Sequence, residues 1–235
     1  MTSLDPSRFR ALSFDCYGTL IDWERGLLAA FHSVLESRAM HLDDGVLLES
    51  FAAIEHEVEA ESFQKYRAIL SEVLDRVGDE LGFVPSQEEC AEFAASVGSW
   101  PAFEDSKRAL LRLAERFDLI VLSNVDEDLF RGSEHLLGVP FAKVFTAEDI
   151  GSYKPDARNF EHLKVHAGVA PSQILHCAQS LFHDIGPARD AGLATVWVNR
   201  RAGQTGSGAT PASDAQPDAE VDSLDALAAL LLEPV

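Results

Sequence analysis

The chain has 235 residues, 46% of them apolar and 25% charged, with 39 acidic against 19 basic side chains and a formal net charge of −20. That length and apolar share suit one large α/β unit or a core with one insert. The charge argues against nucleic acid or anionic lipid as partners and requires local positive charge at any anion site. Cys16, Cys90 and Cys177 lie far apart with no Cys-x-x-Cys or Cys/His metal spacing, which argues against a disulfide framework and for a reducing compartment. Residues 10–14 read as a short buried strand. Residues from about 24 to 98 read as almost continuous helix, with apolar residues at helical spacing (Leu27, Leu28, Phe31, Val34 and Leu35; Leu70, Val73, Leu74, Val77 and Leu81) and breaks near His41–Asp44 and Gly82–Ser86. From Trp100 the pattern alternates. Helices are predicted at 105–116, 127–137, 156–167 and 184–191, and strands at 119–122, 144–145, 174–178 and 194–198. Residues 202–217, rich in Gly, Ser, Thr, Ala and Pro, read as a mobile loop, and 222–232 as a closing helix.

This βαβ alternation implies a parallel sheet with helices on both faces. The helical block falls between the first strand and the rest of the sheet, so it reads as an insert laid over the strand ends, a natural cap for an active site. The expected division is a core of residues 1–20 and 101–235 with a helical cap at 21–100. The start of the chain does not read as a secretory leader, and no apolar run is long enough to span a membrane, so the expected location is the cytoplasm. Apolar cap helices leave room for a homodimer.

Four polar signals follow the ends of predicted strands or the connections after them: Asp15 with Thr19, Ser123-Asn124, Lys154, and Asp184. Each has an ordinary explanation by itself, as a turn, a solvated charge or a helix cap. Together, in this order at the carboxyl ends of an open sheet where ligands bind, they are hard to ascribe to chance. A carboxylate can attack carbon or phosphorus and form a covalent intermediate, and a nearby ammonium keeps it charged. Cys16 beside it reads as a small buried residue.

The stretches Phe14-Asp15-Cys16-Tyr17-Gly18-Thr19-Leu20, Leu122-Ser123-Asn124, Ser152-Tyr153-Lys154-Pro155-Asp156 and Ser180-Leu181-Phe182-His183-Asp184 resemble the motif set of the haloacid dehalogenase superfamily. The resemblance covers residues 10 to about 200. It implies a Rossmann-like core, Asp15 as nucleophile, Thr19 and Ser123 as hydrogen-bond partners of nucleophile or substrate, Lys154 as the group that holds Asp15 ionised, and Asp184 as the group that positions a metal or the hydrolytic water. Asn124 would shape the site through hydrogen bonds.

The residue two places after the nucleophile divides the superfamily. Its phosphatases carry an acid there to protonate the leaving alcohol. Tyr17 holds that position here, and an ordinary phenol titrates near pH 10. A halide leaves without a proton, and a tyrosine here resembles the 2-haloacid dehalogenases, which implies hydrolysis of small 2-haloacids; Gln179 stands where phosphatases carry one of two magnesium-holding acids, so no cofactor is expected. The alternative is a magnesium phosphatase with the ion on Asp15, the Tyr17 backbone carbonyl and Asp184. A non-catalytic small-ligand protein on the same scaffold is a third reading. The resemblance to L-2-haloacid dehalogenases is incomplete. Leu47 stands where those enzymes carry a carboxylate-gripping arginine, Phe160 where they carry a tyrosine, and Gln179 and Leu181 where they carry a serine and an asparagine. Arg25, and after it Arg67, are then the candidate anchors for a small anionic substrate, or else solvated helix charges. Trp23 and Phe182 are candidates for an apolar substrate wall, and Trp23 equally for hinge packing. His183 is a candidate to activate water, since imidazole titrates near neutrality. Adjacent residues on a helix do not face each other, so packing against Phe182 is an equal alternative.

Overall fold

The computed structural model describes residues 4–203 and 210–233, so part of the stretch read as a mobile loop (204–209) lies outside the described residues. Six parallel strands form one sheet in the order β3-β2-β1-β4-β5-β6. They are β1 (Ala11–Phe14), β2 (Asp118–Ser123), β3 (Lys143–Thr146), β4 (Ile174–Ala178), β5 (Ala194–Val198) and β6 (Ala219–Val221). The chain goes from β1 to β2 and β3 on one side, then returns to β4 on the other. The crevice beyond the carboxyl end of β1 is therefore the topological switch point where such sheets bind ligands.

Four helices, α1 (Trp23–Glu36), α2 (Asp44–Glu61), α3 (Tyr66–Leu81) and α4 (Gln87–Ala95), are inserted between β1 and β2, before α5 (Ser106–Ala114). The chain continues through α6 (Glu127–Leu137), α7 (Ala147–Ile150), α8 (Ala157–His166), α9 (Gly186–Asp190) and α10 (Leu224–Leu232). Alternate residues of the strands serve opposite faces. Leu12, Phe14, Val121, Cys177 and Val196 join one apolar cluster with α5, α6, α10 and the insert. Ala11, Ile120, Leu122 and Ile174 join a smaller cluster with α8 and α9. No helix among the described residues is long and apolar enough to cross a membrane.

Most boundaries follow local signals. Asp43 accepts from the backbone N–H groups of Gly45 and Val46 and starts α2, Ser86 and Glu89 form a capping box on α4, and Gly82 ends α3 in a left-handed conformation. The break between α2 and α3 has no such signal. The backbone N–H groups of Tyr66 and Arg67 donate to Asp126 Oδ1 and Oδ2 at 2.8 and 3.0 Å. A buried carboxylate just past β2 thus caps a helix of the insert. That is why the predicted continuous helix is divided at 62–65, where neither glycine nor proline marks the chain. The short edge strand β6, in the gap between the predicted loop and the predicted closing helix, is recruited by pairing with β5.

Gly132 of α6 is a packing requirement: a Cβ there would stand 2.1 Å from the Gly98 carbonyl oxygen. This close approach seats the insert against the sheet layer.

Candidate active site

Asp15 follows β1 directly, its backbone N–H donating to the Cys177 carbonyl of β4 at 3.3 Å. The chain then turns at Gly18, where φ is +91° and a Cβ would meet the Trp23 indole at 3.0 Å. A left-handed backbone and a close neighbour both require glycine at this point. The turn brings Thr19 back to the nucleophile: its hydroxyl donates to Asp15 Oδ2 at 2.7 Å and accepts the Gln179 backbone N–H at 2.9 Å.

Lys154 is only 2% exposed. Its Nζ donates to Asp15 Oδ1 at 2.8 Å, to Asp184 Oδ1 at 2.6 Å and to the Leu122 carbonyl at 3.0 Å. An ammonium has three donors, so Lys154 has none left for a substrate. Asn124 holds the lysine from behind, donating from Nδ2 to the Lys154 carbonyl and accepting the Lys154 N–H at 3.0 and 2.7 Å. Burial opposes the lysine's charge, but Asp15 and Asp184 outweigh it and push the ammonium's pKa up. Burial also opposes ionisation of Asp184, but Lys154 and His176 override it and hold the carboxyl at about 2. His176 Nε2 lies 3.0 Å from Asp184 Oδ1. Asp15 stays above its ordinary range, because burial and the Asp184 charge outweigh Lys154 and Thr19.

Ser123 ends β2 and is 3% exposed, and its Oγ has no hydrogen-bond partner among the described residues. Tyr17 lines the cavity, but its hydroxyl pairs with Ser133 Oγ on α6 at 3.0 Å and its ring meets Trp100 edge-on at 5.9 Å. Burial pushes the phenol's pKa well above its ordinary value. Burial likewise pushes up the Cys16 thiol, which packs in the core.

Asp184 and His183 both line the cavity. They lie in a π-helical turn, Leu181–Ile185, whose amide of Ile185 reaches back to the Ser180 carbonyl at 3.1 Å. The wider turn of a π-helix gives the two neighbours a common outlook that an α-helix would not. Burial draws His183 down to about 4, so the imidazole is neutral near pH 7.

Both candidate anchors and one candidate of the apolar wall are placed elsewhere. Arg25 is exposed and does not line the cavity. Arg67 pairs with Asp128 at 2.7 Å. Phe182 packs edge-on against His56 at 5.7 Å and lies outside the cavity lining. Leu47 and Phe160 are fully buried in the two apolar clusters. Trp23 does line the cavity, and so does Gln179.

The insert contributes what the sequence reading missed. Glu55 and Glu59 of α2 and Tyr66 of α3 line the same cavity as Asp15. The Tyr66 hydroxyl donates to Glu55 Oε1 at 2.6 Å. Burial raises Glu55 to about 7, and raises Glu59 well above the carboxylate range with the help of the Glu55 charge. The signal available in sequence was the spacing itself: like charges at i and i+4 share a helix face and cost stability there. The cavity is small, about 60 Å³. Among the described residues, no group of three or more His, Cys, Asp or Glu side chains is placed to hold a metal ion.

A family model of haloacid dehalogenase-like hydrolases matches residues 9–192. The chain is 23% identical over 209 residues to (S)-2-haloacid dehalogenase 1 of Pseudomonas sp. (strain CBS-3), covering 84% of this chain and 86% of that one. The crystal structure of a defluorinating L-2-haloacid dehalogenase superposes with a TM-score of 0.81 at 23% identity, over 95% of each chain. The L-2-haloacid dehalogenase of Xanthobacter autotrophicus gives a TM-score of 0.80 at 19% identity, over 97% of this chain and 100% of that one.

Proposed function

The chain belongs to the haloacid dehalogenase-like hydrolases, and from that premise we propose that it cleaves the carbon–halogen bond of a small organic halide through an aspartyl ester on Asp15, with the 2-halo acids named for its relatives as the reference substrates. The observation that carries this reading is a nucleophile held by Lys154 and Thr19 with no acid at the leaving-group position, where the Tyr17 hydroxyl is turned to Ser133. Residues 21–100 act as the cap that closes over the substrate.

In this scheme an Asp15 oxygen attacks the halogen-bearing carbon from the side opposite the halogen. The new C–O bond forms as the C–X bond breaks, halide leaves with the bonding pair, and the carbon inverts. Water then attacks the carboxyl carbon of the ester and regenerates Asp15 with the hydroxylated product. Lys154 stabilises the oxyanion that forms on the ester, and Ser123 Oγ is free to donate to it. Asp184 Oδ2, which has no partner among the described residues, binds the water, and the neutral His183 imidazole accepts its proton. No step uses a metal or a cofactor.

Chloride release from (S)-2-chloropropionate and 2-chloroacetamide, measured with EDTA present, tests the reaction. Single turnover in H₂¹⁸O places one isotope in Asp15. D15N abolishes release. Magnesium-dependent phosphate release without halide release overturns the reading in favour of the phosphatase alternative.

A further inference from the structure

The cavity that holds Asp15 is unsuited to a carboxylate. Lys154 is the only lysine or arginine among its described lining residues, and all three of its N–H donors are used. His183 is neutral. Glu55 and Glu59 line the same cavity as the nucleophile, four residues apart and so on one face of α2. Tyr66 satisfies one oxygen of Glu55, and Glu59 has no hydrogen-bond partner among the described residues. A substrate carboxylate would add a third carboxyl group to this half of the cavity with no cation to meet it.

We propose that Glu55 and Glu59 select the substrate, taking the ammonium end of a small halogenated amine where a carboxylate grip would otherwise stand. This rests on the Asp15 reaction above and names its substrate class. A second, independent observation points to a ligand: the buried Ser123 Oγ lines the same cavity and lacks a partner, so something other than the described residues must satisfy it. The charge count favours a cation. Asp15, Asp184 and Lys154 sum to one net negative charge, and an ammonium brought against Glu55 and Glu59 favours their ionised forms. The overall charge of −20 draws cations toward the protein. Ammonium N–H groups donating to a carboxylate form strong, charge-assisted hydrogen bonds. The chemistry at carbon is unchanged: Asp15 displaces halide, water cleaves the ester, and an amino alcohol leaves.

The test compares chloride release from 3-chloropropylammonium and 4-chlorobutyrate, two primary chlorides with the same three-carbon spacer. It is run with wild type, E59Q and E55Q/E59Q. In parallel, binding of propylammonium and butyrate, which cannot react, is followed by NMR. The amine should be preferred in kcat/KM by about tenfold or more, the scale of one hydrogen bond to a charged group. E55Q/E59Q should lose that preference. An equal or greater rate with the acid, or a preference that survives in E55Q/E59Q, overturns the proposal. If neither chloride reacts, nor the substrates named above, the dehalogenation reading fails and the binding arm decides. Propylammonium binding that E55Q/E59Q abolishes upholds the proposal, and binding of butyrate alone, or of neither, overturns it.

Discussion

On the sheet side of the cavity every charged group has a partner: the Lys154 ammonium meets two carboxylates and a carbonyl, Thr19 bridges Asp15 to the Gln179 amide, and Asn124 clamps the lysine backbone. On the insert side, Glu55 and Glu59 face the same space with one phenol between them and no cation of their own. A saturated cluster holds one geometry and leaves little for a ligand, as a nucleophile that must be aimed requires. An unsaturated one keeps capacity that a substrate can use. On the proposed reading, the reaction belongs to the sheet and the choice of substrate to the insert.

Removing the centre of the saturated side should have the largest effect. K154M leaves Asp15 and Asp184 buried without their counter-charge, a loss on the order of 3–5 kcal/mol for a broken buried pair. Urea denaturation should show that loss at pH 7, and single-turnover alkylation of Asp15 should disappear. A K154M protein as stable as wild type would mean that the two carboxylates are not balanced by the lysine.

The joint between the two sides comes next. Asp126 lies on the sheet side yet supplies the helix cap of α3. D126A removes both acceptors and should cost about 1–2 kcal/mol, the range for a lost N-cap. Because α3 begins with Tyr66, which holds Glu55, the variant should raise KM more than it lowers kcat. D126N keeps one acceptor and should recover part of both effects. Equal changes in kcat and KM would mean that Asp126 serves the reaction rather than the insert.

The contrast between the two sides also explains what could be read from sequence. Asp15, Ser123 and Asp184 sit in short motifs beside strands whose apolar runs are unmistakable, and a strand end in a parallel sheet has one destination. The register of that sheet brings them together with no further information. Lys154, on a loop, was legible only as part of the motif set. Glu55 and Glu59 lie mid-helix in an acidic stretch, where a solvated face and a cavity wall look alike until α2 is docked over the strand ends. Arg25 and Arg67 carry the right charge for an anchor, but helix phase and docking place one in solvent and the other on Asp128, in line with the alternative of solvated helix charges. The break at 62–65 was invisible because its cap comes from Asp126, and the edge strand β6 because a three-residue strand depends on its partner.

A further test separates the two sides by the sign of their titration. Asp184, held down at about 2 from 3.8, adds stability that is present above pH 3.8 and lost as pH falls through 2. Glu55, raised from 4.5 to about 7, works in the opposite direction. Between those values the native state holds a proton that the unfolded chain has released, so Glu55's contribution is full below pH 4.5 and declines as pH rises through 7. E55Q keeps the size of the side chain and an acceptor for the Tyr66 hydroxyl, and has no proton to lose. Thermal unfolding at pH 5 and pH 8 should therefore show E55Q gaining on wild type as pH rises. Glu59 is raised in the same direction and remains in that variant, so part of the slope should persist until E55Q/E59Q removes it. If all three proteins lose stability equally between pH 5 and pH 8, the insert carboxyls are solvated in the native state, and the two sides of the cavity do not differ in the way their contacts imply.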